Sequence, residues 1–390
     1  MNTKILMVLE GPFPPDDRVF KEAQLLVNQG FQVTIACTLK GDEPLFENYK
    51  GITVYRKHLP KLIYKSSVAA LKFPVYFNWW KRFLQELFAR DSFDCIHIHD
   101  LPLAKVGLYF KQKHTLKLVI DLHENWPAYL TKATHTQTIL GKLLSSEQQW
   151  RTYEKWAAVH ADKVVTVVDE MKNRIVRLGV SQEKVAVLQN TIVPEEYPNQ
   201  KEEQMNQPFT LIFAGGINIE RGLQYIIPAI KILKQHIPDI KLIIIGKGSY
   251  LPTLKQLASD FEVSNHVDFI GWKPLKELME ITAKADIALI PHLKWEQTDC
   301  SSPNKLFQYM HAGVPLLVSN CDSVARIVNE TNCGESYAFD QVDEFAEKVL
   351  KLYRNPDYRK QLSENGKKWI FEKYNWNESS KEFLEMYTKI

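Results

Sequence analysis

The apolar run Ile5-Leu6-Met7-Val8-Leu9, the loop Gly11-Pro12-Phe13-Pro14-Pro15, the helical-period stretch Val19 to Asn28 and, after Gly30, the run Phe31 to Cys37 read as strand, loop, helix, strand. Working outward, short apolar runs recur at Cys95-Ile96-His97-Ile98, Leu118-Val119-Ile120, Val164 to Val168 and Val185 to Leu188, with helical segments between them. Short apolar strands alternating with helices imply a parallel sheet covered on both faces.

The pattern pauses at Val193 to Pro208, a charged stretch holding Pro194, Pro198 and Pro208, which reads as a linker. It restarts with Phe209 to Phe213, Gly215-Gly216, a helix through Leu233 and the strand Lys241 to Ile245 before Gly246-Lys247-Gly248. Val267 to Gly271, Ile287 to Pro291 and Pro315 to Ser319 follow as later strands. The expected organisation is an α/β chain of two doubly wound Rossmann-like domains, 1–195 and 205–370, with a helical tail, 371–390, crossing back to the first after a break near Asn375. Two such domains are expected to face a central cleft, with ligands at the carboxyl ends of the strands.

With 390 residues, 45% hydrophobic and 24% charged, the chain is long enough for two cores. A formal charge of +3 and the lack of an aromatic and basic signature argue against nucleic acid as partner. The five cysteines show no CxxC pair and read as reduced thiols. The apolar start is too short for a signal sequence and no run of about 18 apolar residues occurs, so a cytoplasmic location is expected.

Several stretches could carry chemistry. Gly215-Gly216 after a strand, with Glu220-Arg221-Gly222 opening a helix, could set backbone amides and a guanidinium against phosphate oxygens, or could be a tight turn beside a solvated charge. Cys300-Ser301-Ser302-Pro303-Asn304-Lys305 precedes a helical run, with Ser and Asn as caps. It offers an anion site to which Lys305 adds charge and which Gln308 could reach, or simply a capped helix. Asp121-Leu122-His123-Glu124 ends an apolar strand, where His123 suits substrate binding or proton handling, or a structural role. His97 and His99 share a strand face, but two residues without a third ligand do not make a metal site. From Arg56 to Arg82 seven Lys/Arg and no Asp/Glu interleave with aromatic residues, as in a membrane-facing surface or a core helix with solvated lysines.

Taken in order, these pieces resemble the retaining GT-B glycosyltransferases of family 4, the glycosyl transferases group 1. Gly11-Pro12-Phe13-Pro14-Pro15-Asp16-Asp17-Arg18-Val19 resembles the family's first-strand loop, and Phe93 to Asp100 its mid-domain strand. Asp121-Leu122-His123-Glu124 resembles its D-x-H-E segment. Phe213-Ala214-Gly215-Gly216 with Glu220-Arg221-Gly222 resembles the donor-domain signature, although Gly216 replaces the usual Arg and Arg221 stands where Lys is commoner. Ser302 to Met310 followed by Ala312-Gly313-Val314-Pro315 resembles the loop and helix that hold the nucleotide sugar. The family's two Glu eight positions apart are here Cys300 and Gln308.

The resemblance implies transfer of a hexose-type sugar from a nucleotide-diphosphate sugar to a glycan, with retention, no metal and no cofactor besides the donor substrate. His123, Arg221 and Lys305 inherit catalytic roles. Gly215, Gly216, Gly246, Ser301, Ser302, Pro303, Asn304, Leu306 and Gln308 inherit the donor, and Gly11, Asp16, Arg18, Asp100 and Glu124 the acceptor side. Gln308 could accept one ribose bond but cannot mimic a carboxylate. Family habit and the 56–82 segment point to a lipid-linked acceptor and peripheral contact with the inner membrane face. Three rivals stand beside this reading: an impaired protein of the same fold that binds nucleotide sugar, an enzyme that hydrolyses or epimerises the donor, and a nicotinamide-dependent oxidoreductase. The last lacks GxGxxG after either first strand.

Overall fold

A computed structural model describes residues 3–132, 141, 144–197 and 208–389. It divides into two compact units, residues 1–188 with 381–390, and residues 189–380.

The first unit is built on an eight-stranded sheet. Its strands are β1 (Lys4–Leu9), β2 (Gln32–Leu39), β3 (Phe46–Tyr49), β4 (Ile52–His58), β5 (Cys95–His99), β6 (Lys117–Leu122), β7 (Lys163–Thr166) and β8 (Val185–Val187). The order is β3-β4-β2-β1-β5-β6-β7-β8, parallel except where β3 runs against β4. β1 and β5 are wholly buried or nearly so, as expected of central strands covered on both faces. The helix Asp17–Asn28 shows why the first crossover forms. Asp16 caps it by accepting from Val19 N, and Val19, Glu22, Ala23 and Leu26 form its buried stripe. Phe383, Met386 and Tyr387 of the last helix, Lys381–Thr388, are buried in this unit.

The second unit holds a parallel six-stranded sheet. Its strands are β9 (Thr210–Ala214), β10 (Lys241–Ile245), β11 (Val267–Gly271), β12 (Ile287–Ile290), β13 (Leu316–Ser319) and β14 (Gly334–Tyr337), in the order β11-β10-β9-β12-β13-β14. Chain direction across the sheet reverses at β1/β5 in the first unit and at β9/β12 in the second. At such switch points the loops leaving adjacent strands diverge and open a crevice at the carboxyl ends.

Two boundaries move from those expected. Residues 189–197 belong to the second unit, because Ile192 bridges to Asn375, Trp376 N donates to Ile192 O and Thr191 Oγ1 donates to Ser379 Oγ. The tail enters the first unit only at Lys381, since the helices Pro356–Glu372 and Trp376–Ser379 stay with the second. Of the expected linker, 198–207 lies outside the described residues.

The β3-β4 hairpin and β14 were not anticipated. β4 buries Ile52 and Val54 on one face and turns from β3 through Lys50 and Gly51, both at positive φ. Its Arg56 is correspondingly not a surface charge: the guanidinium donates to Phe13 O and Pro44 O and pairs with Glu47. Tyr76, Phe77 and Trp80 of the helix Val75–Phe88 are also core. What remains exposed of the 56–82 surface includes Lys61, Leu62, Tyr64, Lys65, Lys72 and Phe73, with Leu62 81% exposed. No helix among the described residues is long and apolar enough to cross a membrane.

Candidate active site

In the second unit a pocket of about 530 Å3 opens at the carboxyl ends of β9, β10 and β11. Gly215 and Gly216 follow β9, Gly246 and Lys247 follow β10, and Trp272 and Lys273 follow β11. Pro303, Asn304, Lys305 and Gln308 bring the start of the helix Asn304–Ala312, and Arg221 completes the wall. The backbone approaches closely here: a Cβ on Gly246 would lie 1.8 Å from Gly215 O, so only glycine lets the two loops meet.

No Asp or Glu lines this pocket among the described residues. Lys305 Nζ is buried without a hydrogen-bond partner and stands 3.9 Å from the centroid of the Phe213 ring. Burial, with the Arg221 charge adding, holds its pKa well below the usual lysine value. Arg221 Nε is likewise unpartnered, and burial lowers this guanidinium's pKa too. The helix start carries no side-chain cap: Pro303 is the capping residue, not Ser or Asn, so its amides face the pocket unspent by a cap. Two buried basic side chains and an uncapped helix N-terminus give this pocket the chemistry that suits an anion.

The first unit has a separate polar cluster at the ends of β1, β5 and β6. Arg18 lies 3.0 Å from Asp121 Oδ1 and 3.0 Å from Glu22 Oε1, and donates to Leu188 O. Asp121 Oδ2 is 3.0 Å from His123 Nε2, and Asp100 Oδ2 is 3.5 Å from His123 Nδ1. Burial opposes charge on His123, but Asp100 and Asp121 outweigh it and raise the pKa to about 10, so the ring is an imidazolium at neutral pH. Asp100 takes φ +67, an unfavourable conformation for a residue with a Cβ. Glu10 and Glu124 are pushed up to about 7, in both cases chiefly by burial, with Asp100 adding.

Glu22, His97, His99 and Asp121 offer four ligand atoms within 4.8 Å of one another, the further ligands that the His97/His99 spacing lacked. Yet Arg18 already places positive charge against both carboxylates. Tetrahedral zinc would also need ligand atoms about 3.4 Å apart, closer than the 3.9 Å between Glu22 and His97.

Comparison with known proteins decides the family. Residues 195–369 match Glycosyl transferases group 1 and residues 18–196 match Glycosyltransferase Family 4. The chain belongs to the group 1 glycosyltransferases. Among its relatives is an uncharacterized glycosyltransferase of Methanocaldococcus jannaschii, 25% identical over 384 residues, covering 94% of this chain and 91% of that one. Its fold matches sucrose-phosphate synthase from Thermosynechococcus elongatus, with a TM-score of 0.78 at 14% identity over 99% and 98% of the two chains. It also matches Anabaena HepE, solved with UDP and glucose, with a TM-score of 0.71 at 15% identity over the whole of both chains. The chain thus has the GT-B fold of two Rossmann-like domains.

Within this group 1 glycosyltransferase, the structure brings Gly215, Gly216, Arg221, Gly246, Pro303, Asn304, Lys305 and Gln308 to one pocket. Three residues expected there stand elsewhere. Leu306 is fully buried in the core beside Ile212 and Ala214. Ser301 donates to Thr298 O, and Ser302 is buried, outside the pocket lining, with its carbonyl accepting from Asn190. Their positions follow from the helix starting only at Asn304. Asp16 is the cap of the first helix and Gly11 O accepts from Thr38 N, whereas Arg18, Asp100 and His123 join the polar cluster. Sequence reasoning missed Glu10, Lys247, Trp272 and Lys273. Each follows the carboxyl end of a strand directly or by one residue, which is the signal that could have found them.

Proposed function

We propose that this glycosyltransferase moves a hexose-type sugar from a nucleoside-diphosphate sugar to a glycan acceptor, with retention of configuration and without a metal ion. Lys305 carries the reading: a buried, unpartnered lysine beside Arg221 and an uncapped helix is costly to keep charged, and an anion would restore and satisfy its charge. The pocket volume suits a nucleotide ligand, and the fold neighbour HepE holds UDP. Negative charge growing on the leaving diphosphate would be met by Arg221, Lys305 and the amides of the helix start, which is electrostatic catalysis without a protein nucleophile.

The first unit would take the acceptor. Glu10 and Glu124 can accept hydrogen bonds from sugar hydroxyls, and His123 Nδ1, whose 3.5 Å approach to Asp100 is longer than a good hydrogen bond, could donate to a substrate oxygen. A lipid-linked acceptor at the inner membrane face is favoured by exposed Lys61, Lys65 and Lys72 beside Leu62, Tyr64 and Phe73. Binding to anionic liposomes at low salt tests it, and the membrane reading is dropped if replacing the three lysines changes nothing.

The test of the donor is ligand-induced thermal stabilisation across UDP, GDP and their sugar conjugates. A shift with one nucleotide, followed by turnover with its conjugate, supports the transferase. Cys300 and Gln308, where the family carries Glu, favour a second reading, an impaired protein that binds the donor weakly; binding without turnover would select it. Product formed without acceptor would select hydrolysis or epimerisation.

A further inference from the structure

His292 lies at the β9/β12 switch point, two residues past β12, and is fully buried. Arg221 Nη1 approaches its Nε2 at 3.2 Å. A guanidinium can only donate, so Nε2 must be the acceptor and the ring proton must sit on Nδ1. Burial, with the Lys305 and Arg221 charges adding, keeps His292 well below the ordinary histidine pKa, consistent with a neutral ring.

The backbones carrying the two residues are also fastened together. Leu293 N donates to Glu220 O at 2.9 Å, and a Cβ on Gly222, at φ +73, would lie 1.7 Å from Pro291 O. Ser319 Oγ donates to His292 O at 2.6 Å and pins the segment from β13. Such a close fit holds the two chains in register, but backbone contacts alone leave the long Arg221 side chain free to choose rotamers. Among the described residues, the His292 hydrogen bond alone addresses its guanidinium.

The chemical type of the orienting group matters. A carboxylate in place of His292 would hold the guanidinium more strongly, since charge-assisted bonds are about twice as strong as neutral ones. It would also cancel the charge that a diphosphate needs. A neutral imidazole orients the cation and leaves its charge intact.

We propose that His292 is a positioning residue for this transferase: as a neutral acceptor it aims Arg221 at the donor diphosphate without neutralising it. The inference rests on the donor reading above and deepens it.

The experiment measures, by calorimetry, the affinity for the nucleoside diphosphate that the unaltered protein binds and for the matching monophosphate, UDP against UMP or GDP against GMP. His292→Gln, whose carbonyl can stand near the place of Nε2, should keep the diphosphate preference within about threefold. His292→Leu should reduce it about tenfold, the order expected for one lost hydrogen bond to a charged group. His292→Asp should reduce it as well, although it restores an acceptor, because it cancels charge. A role confined to packing would weaken both nucleotides alike and would not separate Gln from Asp; that outcome overturns the proposal. Should His292→Leu not fold, the contrast between Gln and Asp decides alone, and equal preference in the two overturns it. If the unaltered protein binds no nucleotide, the donor reading itself has failed; if it binds and His292→Leu keeps the full preference, only the positioning role has.

Discussion

The Lys305 ammonium stands over the Phe213 ring at 3.9 Å from its centroid, and no hydrogen bond from the described residues reaches its Nζ. A cation–π contact contributes about 0.5–2 kcal/mol, whereas burying an ammonium costs several kcal/mol. The free site is therefore held at an electrostatic loss that an anion relieves.

Lys305→Met is expected to leave the ligand-free melting temperature unchanged or raised while abolishing the shift caused by nucleotide. The folded pKa of Lys305 is lowered from 10.5, so the unfolded chain binds more protons between the two values and this group's contribution to stability grows as pH rises through that window. An anion raises the folded pKa again, so nucleotide binding should take up a proton wherever the pH exceeds the free-state value. Calorimetric enthalpies in buffers of different ionisation enthalpy read that uptake, which should shrink in the variant. A lower melting temperature with the shift retained would contradict the assignment.

Arg221→Ala should lower turnover by about 10²-fold through lost stabilisation of the leaving diphosphate. Steady-state rates against donor concentration check it, and an unchanged kcat removes Arg221 from the chemistry.

His123 gives a pH signature. Its pKa is raised from 6.5 to about 10, so the folded state holds a proton the unfolded chain has lost, and stability should fall as pH rises across that interval. Replacing it by Gln should flatten the decline, whose size in the unaltered protein is on the order of a few kcal/mol. Glu10 and Glu124, raised from 4.5 to about 7, act in the same direction at lower pH, so the comparison belongs above pH 7. Urea unfolding at a series of pH values measures the slope; equal slopes would show that His123 does not hold the proton.

Gly246→Ala drives a methyl to 1.8 Å from Gly215 O at a φ of +146. The loops must part, at a cost of about 3 kcal/mol, and nucleotide affinity should fall with stability. Denaturant midpoints and thermal shifts test both, and a variant with wild-type values would mean the loops tolerate separation.

How far the sequence could be read depended on periodicity. The buried parallel strands are near-continuous apolar runs, so β1, β5, β9 and β10 were legible almost to the residue. The β3-β4 hairpin was not, because an edge pair alternates and its polar half looks like surface; Arg56 was misplaced for that reason. β14, Gly334-Glu335-Ser336-Tyr337, is short and polar, and gains its place only from β13. In the site, Arg221 and Lys305 could be read from their motifs. His292 and Glu10 sit just past strand ends, as many residues do, and what singles them out is the strand order that brings β12 beside β9 and β5 beside β1.

The hydrogen bond of 2.5 Å between Tyr387 and His97 joins residues 290 positions apart. Ribosomes deliver a chain in order, so the interior of the first unit is not complete until the helix Lys381–Thr388 has been made. Until then His97 lacks its phenol and the places of Phe383 and Met386 stand open to water, a surface that chaperones and proteases recognise. Deleting residues 381–390 should therefore be felt in the first unit, and limited proteolysis of such a chain should cut the first unit before the second.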